Sequence, residues 1–317
     1  MRSKHKLAWV TIGMILVLAV AEGGLRAVGD RLPVRTAWPT VETGVKYELL
    51  RQLPSADVVF LGSSITEAAI EPREFAAASG VGSAFNSGLP FSSPYSNEWW
   101  LNEVVLENVE PKLVVIGVTA WSGGQHAERD PLLAALRVGS VSRDHPHKPP
   151  LALLQQTGLF SEWDRRMADE RVKAHLTELG HQTGYYERSI DDATPFGLPS
   201  GPTEMPEDEA EAVDRMIDTL KERGIDAIVL IEPGRSPGDN GTMDYGRYIG
   251  SVLRHEDEWG VPVVDSFNQG WDSSLFADLA HFNRLGTKSF TAYVARTITG
   301  LQTAEEGKPG DSPADIA

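Results

Sequence analysis

The 317-residue chain contains no cysteine and has far fewer basic than acidic side chains. Without cysteine there is no disulfide framework, no thiolate metal site and no cysteine nucleophile, so any covalent catalysis must use oxygen or nitrogen. Lysine and arginine total 29 against 45 aspartates and glutamates, which gives a formal net charge of -16. Such an acidic surface repels the phosphate backbone, and this excludes a general nucleic-acid binder.

Composition also bounds the domain organisation. Hydrophobic residues make up 41% of the chain and charged residues 23%, so disorder throughout is excluded. The folded domain is predicted over residues 56–302, behind a proline-bearing stalk over 31–55. Residues 303–317 lack any apolar period, and we expect them to be a disordered tail.

A basic cluster followed by an apolar run opens the chain. Four of the residues 2–6 are Arg, Lys or His, and the stretch 7–21 has no charged side chain. This pattern indicates an export signal or a membrane anchor. We interpret residues 1–30 as an uncleaved transmembrane anchor in the cytoplasmic membrane, and the positive-inside rule then places the domain outside the cytoplasm. The alternative is cleavage after Ala21, which would give a secreted protein.

Short apolar runs that end in turn residues are typical of buried parallel strands. Three clear runs occupy residues 57–61, 113–117 and 227–231, and two weaker ones occupy 83–86 and 261–264. Apolar residues at helical spacing follow in two later segments of the chain. The sequence therefore predicts a flavodoxin-like three-layer α/β/α sandwich with a mostly parallel five-stranded sheet, in addition to the N-terminal transmembrane helix.

A long insertion separates the third and fourth predicted strands. Residues 121–206 contain no strong strand pattern, and such insertions in α/β folds usually form a lid or a substrate-binding subdomain. His145 and His147 flank a proline there, which fits a solvated loop better than a metal site. We expect no metal and no organic cofactor.

Two groups of residues have the chemistry of a serine nucleophile and its base. Ser64 lies between the first strand and a probable helix, where helix N–H groups can hold an oxyanion, although a simple N-cap serine is the alternative. Asp278 precedes His281 by three residues, so its carboxylate can orient the imidazole as a base for a serine hydroxyl. The alternative for His281 is an incidental position in a surface loop.

Four sequence blocks resemble those of the SGNH hydrolases, also called GDSL-type esterases. The blocks are Gly62-Ser63-Ser64, Asn86-Ser87-Gly88, Gly117-Val118-Thr119 and Asp278-x-x-His281. They occur in the family's order, and the resemblance covers residues 57–300. The resemblance implies that Ser64 is the nucleophile, His281 the base and Asp278 the residue that orients the base.

The resemblance also implies an oxyanion hole, with two departures from the family pattern. The expected donors are the N–H groups of Ser64 and Gly88 and an asparagine side chain of the third block, where this chain has Thr119. The Thr119 hydroxyl or the Asn86 amide is the candidate replacement. Ser63 stands where the family has aspartate, a change that resembles membrane-anchored relatives that acylate or deacylate extracellular polysaccharide.

The predicted function is that of a serine ester hydrolase or O-acyltransferase. The substrate is an acylated extracellular compound, either an envelope carbohydrate or a small ester. Hydrolase and transferase share every step up to the acyl-enzyme, so both remain open, as does the oligomeric state. The alternative is a non-catalytic envelope protein that keeps the fold to bind glycan or an assembly partner, which threonine at position 119 favours.

Overall fold

The structure is a computed structural model of the whole chain. It describes residues 11–14, 16–18, 20, 41–119, 130, 132–133, 136, 174–189, 204–235 and 245–306. Most of the predicted anchor, most of the predicted insertion with His145 and His147, and the last 11 residues of the predicted tail, 307–317, lie outside these residues.

Five parallel strands form one sheet, as predicted. They are β1 (Val58–Leu61), β2 (Ala84–Asn86), β3 (Leu113–Val118), β4 (Asp226–Ile231) and β5 (Val263–Asp265). The strand order is β2-β1-β3-β4-β5, with every neighbouring pair parallel. This is the 2-1-3-4-5 order of flavodoxin-like sheets, in which ligands bind outside the carboxyl ends of the strands.

Eight helices of the described residues surround the sheet. They are α1 (Val41–Gln52), α2 (Ser64–Ala69), α3 (Pro72–Ser79), α4 (Pro94–Trp100), α5 (Glu207–Glu222), α6 (Tyr245–Arg254), α7 (Glu256–Trp259) and α8 (Arg284–Glu306). A π-helical turn (Leu101–Val105) and a last turn (Leu106–Asn108) extend α4, and two 3-10 turns (Phe267–Gln269 and Ser273–Leu275) precede α8. Because α8 continues to Glu306, the predicted tail is wrong for residues 303–306.

Alternate strand residues face opposite sides of the sheet, and each side has its own apolar core. On one side Val59 packs with Trp100 and with apolar residues of α5 and α6. On the other side Phe60 packs with α3 and α8, and its ring meets that of Phe75 edge to face, with centroids 4.8 Å apart. An all-parallel sheet requires cover on both faces, and these two helix layers provide it.

Part of the predicted stalk belongs to the folded domain. The helix α1 buries Leu50 in the first core and buries the whole Lys46 side chain. The Lys46 ammonium lies 2.9 Å from the Glu67 carboxylate of α2. For residues 41–52 the stalk prediction is therefore wrong, because the polar side chains of α1 are satisfied by partners that are distant in sequence.

Within the described residues, no helix has both the length and the apolar character needed to cross a membrane. Of the predicted anchor over 1–30, only residues 11–14, 16–18 and 20 are described, and they are helical and exposed. The anchor remains a prediction.

Candidate active site

The carboxyl ends of four strands bring the candidate residues to one edge of the sheet. Ser64 comes three residues after β1, Gly88 two residues after β2 and Thr119 directly after β3. Glu232, which the motif analysis did not single out, directly follows β4. The loop with His281 precedes α8 and reaches the same edge, since its imidazole contacts Ser64.

Ser64, His281 and Asp278 form one hydrogen-bonded chain. The Ser64 Oγ lies 2.9 Å from His281 Nε2, and His281 Nδ1 lies 2.9 Å from Asp278 Oδ2. An ionised carboxylate only accepts hydrogen bonds, so Nδ1 carries the imidazole proton and Nε2 accepts the serine O–H. This is the arrangement in which an imidazole withdraws a proton from a serine hydroxyl.

The environment of Asp278 keeps its carboxylate ionised. Burial pushes the pKa of Asp278 up, but the hydrogen bond and charge of His281 and two backbone N–H donors outweigh burial, so the pKa lies below its usual value. Those donors are the N–H groups of Ala280 and His281, both 2.8 Å from Oδ1. A carboxylate held in this way orients the ring and stabilises the imidazolium that forms during proton transfer.

The N-cap of α2 is Ser63 and not Ser64. The Ser63 Oγ accepts the N–H of Ile65 at 3.1 Å, which satisfies one of the free N–H groups at the helix start. The alternative that Ser64 is itself the N-cap is therefore wrong. The Ser64 hydroxyl points to His281 instead, and its N–H, in the first turn of the helix, has no intrahelical acceptor.

Asn86 is fully engaged and cannot serve as an oxyanion donor. Its buried side-chain amide donates to the backbone carbonyls of Thr66, Glu67 and Ile70, at 2.9, 3.2 and 2.8 Å. The candidate role of Asn86 is wrong, because both of its N–H hydrogens tie the end of β2 to α2. Its Oδ1 in turn accepts the N–H of Gly88 at 3.1 Å.

Gly88 occupies a position where only glycine fits. A Cβ atom there would lie 2.8 Å from the Glu67 backbone nitrogen and 2.9 Å from the Ser63 carbonyl oxygen. The loop after β2 can therefore pack against the start of α2. The Gly88 N–H faces Asn86 within its own loop, so it has a partner before any substrate arrives.

Thr119, the third candidate for the oxyanion hole, is buried, with 5% of its surface exposed.

A tyrosine that the motif analysis did not assign covers the His281 imidazole. The Tyr185 ring stacks on the His281 ring, with centroids 4.1 Å apart and planes 10° apart. Burial raises the pKa of Tyr185 to about 12, so the phenol is neutral at ordinary pH. Tyr185 lies in the predicted insertion, where an aromatic residue was visible, but nothing in the sequence placed it on His281.

Neighbouring residues fix this part of the insertion, 174–189, against α2. The buried imidazole of His181 contacts the Glu67 carbonyl at 3.1 Å and the Tyr186 hydroxyl at 2.7 Å. Burial lowers the pKa of His181 to about 4, so the ring is neutral. The Gln182 N–H also donates to the Glu67 carbonyl, at 3.0 Å. Among the described residues, no group of three or more His, Asp or Glu side chains is placed to hold a metal ion.

A buried ion pair lies directly behind the loop that carries Gly88. Lys46 pairs with Glu67 and also donates a hydrogen bond to the Gly88 carbonyl. Burial lowers the pKa of Lys46 and raises that of Glu67 to about 7. The pair connects α1, α2 and the loop after β2.

Comparison with known proteins finds similarity in structure only. No family model matches the chain, and no curated protein matches it. Among solved structures, a candidate acylhydrolase from Bacteroides fragilis is 15% identical, with 81% of this chain and 94% of that chain covered and a TM-score of 0.44. A GDSL-like lipase from Bacteroides thetaiotaomicron is 14% identical, with 78% and 87% covered and a TM-score of 0.36.

A catalytic mutant of an acetylxylan esterase from Geobacillus stearothermophilus is 11% identical, with 75% of this chain and 91% of that chain covered and a TM-score of 0.41. These matches include the GDSL-type proteins that the four sequence blocks resemble. They do not test the membrane-anchored branch. Because identities and TM-scores are low, the proposals below rest on the residues and geometry of this chain.

Proposed function

We propose that the chain is a serine ester hydrolase or O-acyltransferase that forms an acyl-enzyme on Ser64. The observation that carries the proposal is the continuous hydrogen-bonded chain from Ser64 through His281 to Asp278. Three residues from two regions more than 200 positions apart meet in this chain, and because the carboxylate faces Nδ1, Nε2 is left to accept the Ser64 proton. A serine that served only as a cap or a histidine in an ordinary loop would not require it.

The geometry supports acyl transfer in two half-reactions. The Ser64 oxygen attacks the acyl carbonyl carbon while His281 Nε2 takes the hydroxyl proton, and Asp278 stabilises the resulting imidazolium. When the bond to the leaving alcohol breaks, His281 returns the proton to that alcohol, and the acyl group stays on Ser64. Water or a sugar hydroxyl then gives a proton to His281 and attacks the acyl carbon. As the bond from the acyl group to Ser64 breaks, His281 returns that proton to the Ser64 oxygen, and the free enzyme is regenerated.

We further propose that the substrate is an acylated envelope carbohydrate outside the cytoplasmic membrane. Two sequence features support this placement: the basic-then-apolar pattern over 1–30 and the resemblance of the Ser63 block to membrane-anchored polysaccharide-modifying relatives. A phosphatase fused after residue 317, active only outside the cytoplasm, should report activity. Activity from a cytoplasmic reporter instead would contradict the placement.

Labelling by a fluorophosphonate ester probe tests the nucleophile. The wild-type chain should be labelled and should release p-nitrophenol from its acetate, whereas Ser64→Ala should do neither and should keep its melting temperature. Ser274→Ala removes an exposed hydroxyl outside the hydrogen-bonded chain and serves as the matched control. His281→Ala should be as damaging as Ser64→Ala, and the double variant little worse, because residues that act as one unit are non-additive.

The second candidate is a non-catalytic envelope protein that binds glycan, and the oxyanion side of the site favours it. The Asn86 amide is saturated, the Gly88 N–H is bonded within its loop, and position 119 has no amide. Absence of both labelling and turnover in the wild type, together with glycan binding that survives Ser64→Ala, would establish this alternative. Loss of turnover on Ser64→Ala in an active wild type would exclude it.

A further inference from the structure

Glu232 places a buried carboxylate directly under the turn that carries the nucleophile. Only 1% of its surface is exposed. Its Oε1 accepts the Ser63 N–H at 2.8 Å, the Thr66 N–H at 3.3 Å and the Thr66 hydroxyl at 2.6 Å, and its Oε2 accepts the Ser63 hydroxyl at 2.6 Å. The two residues that flank positions 64 and 65 are therefore both held by one side chain from another strand.

Isolation of a carboxylate from water is costly unless hydrogen bonds compensate it. Burial raises the pKa of Glu232, while its four hydrogen bonds to Ser63 and Thr66 oppose the increase. Four donors match the roughly four acceptor sites of a carboxylate, so every acceptor site of Glu232 is committed to the turn that carries Ser64. None of the steps of acyl transfer requires Glu232 to exchange a proton, so its contribution must come through the groups that it holds.

Two glycines leave room for the Glu232 carboxylate beside the turn. A Cβ atom on Gly117 would lie 2.9 Å from Glu232 Oε1, and one on Gly62 would lie 2.6 Å from it. Gly62 also has a φ of 151°, in the region that disfavours side chains. Glycine in two separate motif blocks thus leaves the space that the Glu232 side chain fills.

The hydrogen bonds of Glu232 also decide which helix N–H groups remain for a substrate. At the start of α2, Glu232 takes the N–H groups of Ser63 and Thr66, and the Ser63 hydroxyl takes that of Ile65. The N–H of Ser64 lies among these three, in the first turn of α2, where it has no acceptor within the helix. A single N–H is therefore left for the oxyanion, on the residue whose hydroxyl attacks.

We propose that Glu232 is a positioning residue for the nucleophile. It fixes the turn over 62–66 so that the Ser64 hydroxyl faces His281 and the Ser64 N–H faces the position of the oxyanion. The inference rests on the proposed function, because the benefit of this geometry is faster attack by Ser64. It adds the residue directly after β4 to a site otherwise built from the ends of β1, β2 and β3 and the loop before α8.

The first test replaces the carboxylate by its amide. Glu232→Gln keeps the volume and one acceptor for the backbone N–H groups but loses the charge and one acceptor. We expect kcat per fluorophosphonate-titrated site to fall roughly 10- to 100-fold with KM nearly unchanged, since small misplacement of a reacting group has effects of this size. Glu209→Gln is the matched control, because Glu209 is equally buried but lies on α5, and it should leave kcat unchanged.

The second test restores a carboxylate from the other side of the turn. Ser63→Asp alone brings a second carboxylate against Glu232 and should lower kcat. Combined with Glu232→Gln it supplies a good N-cap and one buried charge, so the double variant should recover kcat to within about threefold of the wild type. Thr66→Val, which deletes one hydrogen bond and keeps the shape, should lower kcat by a smaller factor.

The outcomes separate this inference from the proposed function. An unlabelled, inactive wild type contradicts the function, whereas an active wild type with unchanged kcat in Glu232→Gln and Thr66→Val contradicts the positioning role. Crystal structures give a readout that does not depend on activity. In Glu232→Gln the distance from Ser64 Oγ to His281 Nε2 should exceed hydrogen-bond range, and its persistence at 2.9 Å would overturn the inference.

Discussion

At the scale of single residues, Thr119 is the remaining side-chain candidate from the sequence blocks for the oxyanion, because Asn86 is excluded by its own hydrogen bonds. Thr119→Val keeps the shape and removes the hydroxyl. If that hydroxyl donates to the oxyanion, kcat for p-nitrophenyl acetate should fall about 10²-fold with little change in KM. Thr119→Asn, the family's residue, should preserve or raise kcat. An unchanged rate in Thr119→Val would place the third donor elsewhere.

The sequence predicted the residues of the hydrogen-bonded chain because each lies in a short local motif with recognisable chemistry. Glu232 and Tyr185 were missed for the opposite reason. Glu232 contacts Ser63 across 169 sequence positions, and its signal was only a glutamate after an apolar strand. Asn86 was misassigned because an amide can donate to an oxyanion. The three carbonyls that accept its N–H groups come close to it only when α2 folds against β2.

At the scale of elements, the turn after β2 contains an unusual residue. Ser92 N–H donates to the Leu89 carbonyl at 3.2 Å, and between them Phe91 has a φ of 60° with 86% of its surface exposed. A left-handed conformation costs a non-glycine residue roughly 1 to 2 kcal/mol, and an exposed ring recovers little of that cost by burial.

Phe91→Gly should therefore stabilise the protein. Relief of the left-handed conformation outweighs the greater freedom of glycine in the unfolded chain, so we expect a gain of about 0.5 to 1 kcal/mol in the free energy of unfolding. Phe91→Ala removes the same ring without relieving the backbone and is the control. Urea unfolding of the three proteins measures the effect. A glycine variant no more stable than the alanine variant would contradict the proposed backbone strain, and an alanine variant less stable than the wild type would show that the ring contributes to folding.

Helices and strands could be predicted from the sequence where the apolar residues follow one clear pattern. The buried strands are continuous apolar runs, and α5 and α8 repeat apolar residues on one face, so their presence in the structure is confirmed. In contrast, α1 buries the polar residues Thr43 and Lys46 together with Leu50, and the partner of Lys46 is Glu67 on α2. Apolar periodicity does not reveal a helix whose buried face is partly polar.

At the scale of the whole molecule, His181 links stability to pH. Its pKa is lowered to about 4 by burial, whereas the unfolded chain has the ordinary value of 6.5. Between these values the unfolded state binds more protons, so the free energy of unfolding should fall as pH decreases from 6.5 to 4, by up to about 1.4 kcal/mol per pH unit.

The matched variant for this prediction is His181→Gln, measured by urea unfolding at several pH values. Glu67 acts in the opposite direction, because its raised pKa of about 7 lowers stability as pH increases from 4.5 to 7. Both proteins contain Glu67, so the stability difference between them isolates His181. That difference should shrink as pH decreases below 6.5. A constant difference would show that His181 is protonated in the folded state.

The ion pair between Lys46 and Glu67 makes α1 part of the smallest unit that can fold on its own. A boundary drawn from the motifs would fall near residue 56, just before β1, and would remove α1 entirely. This would remove the cation that pairs with Glu67, and loss of one partner of a buried ion pair typically costs about 3 to 5 kcal/mol, a large part of the total stability of about 5 to 15 kcal/mol. The folded unit that contains the candidate active site therefore begins at residue 41 or earlier.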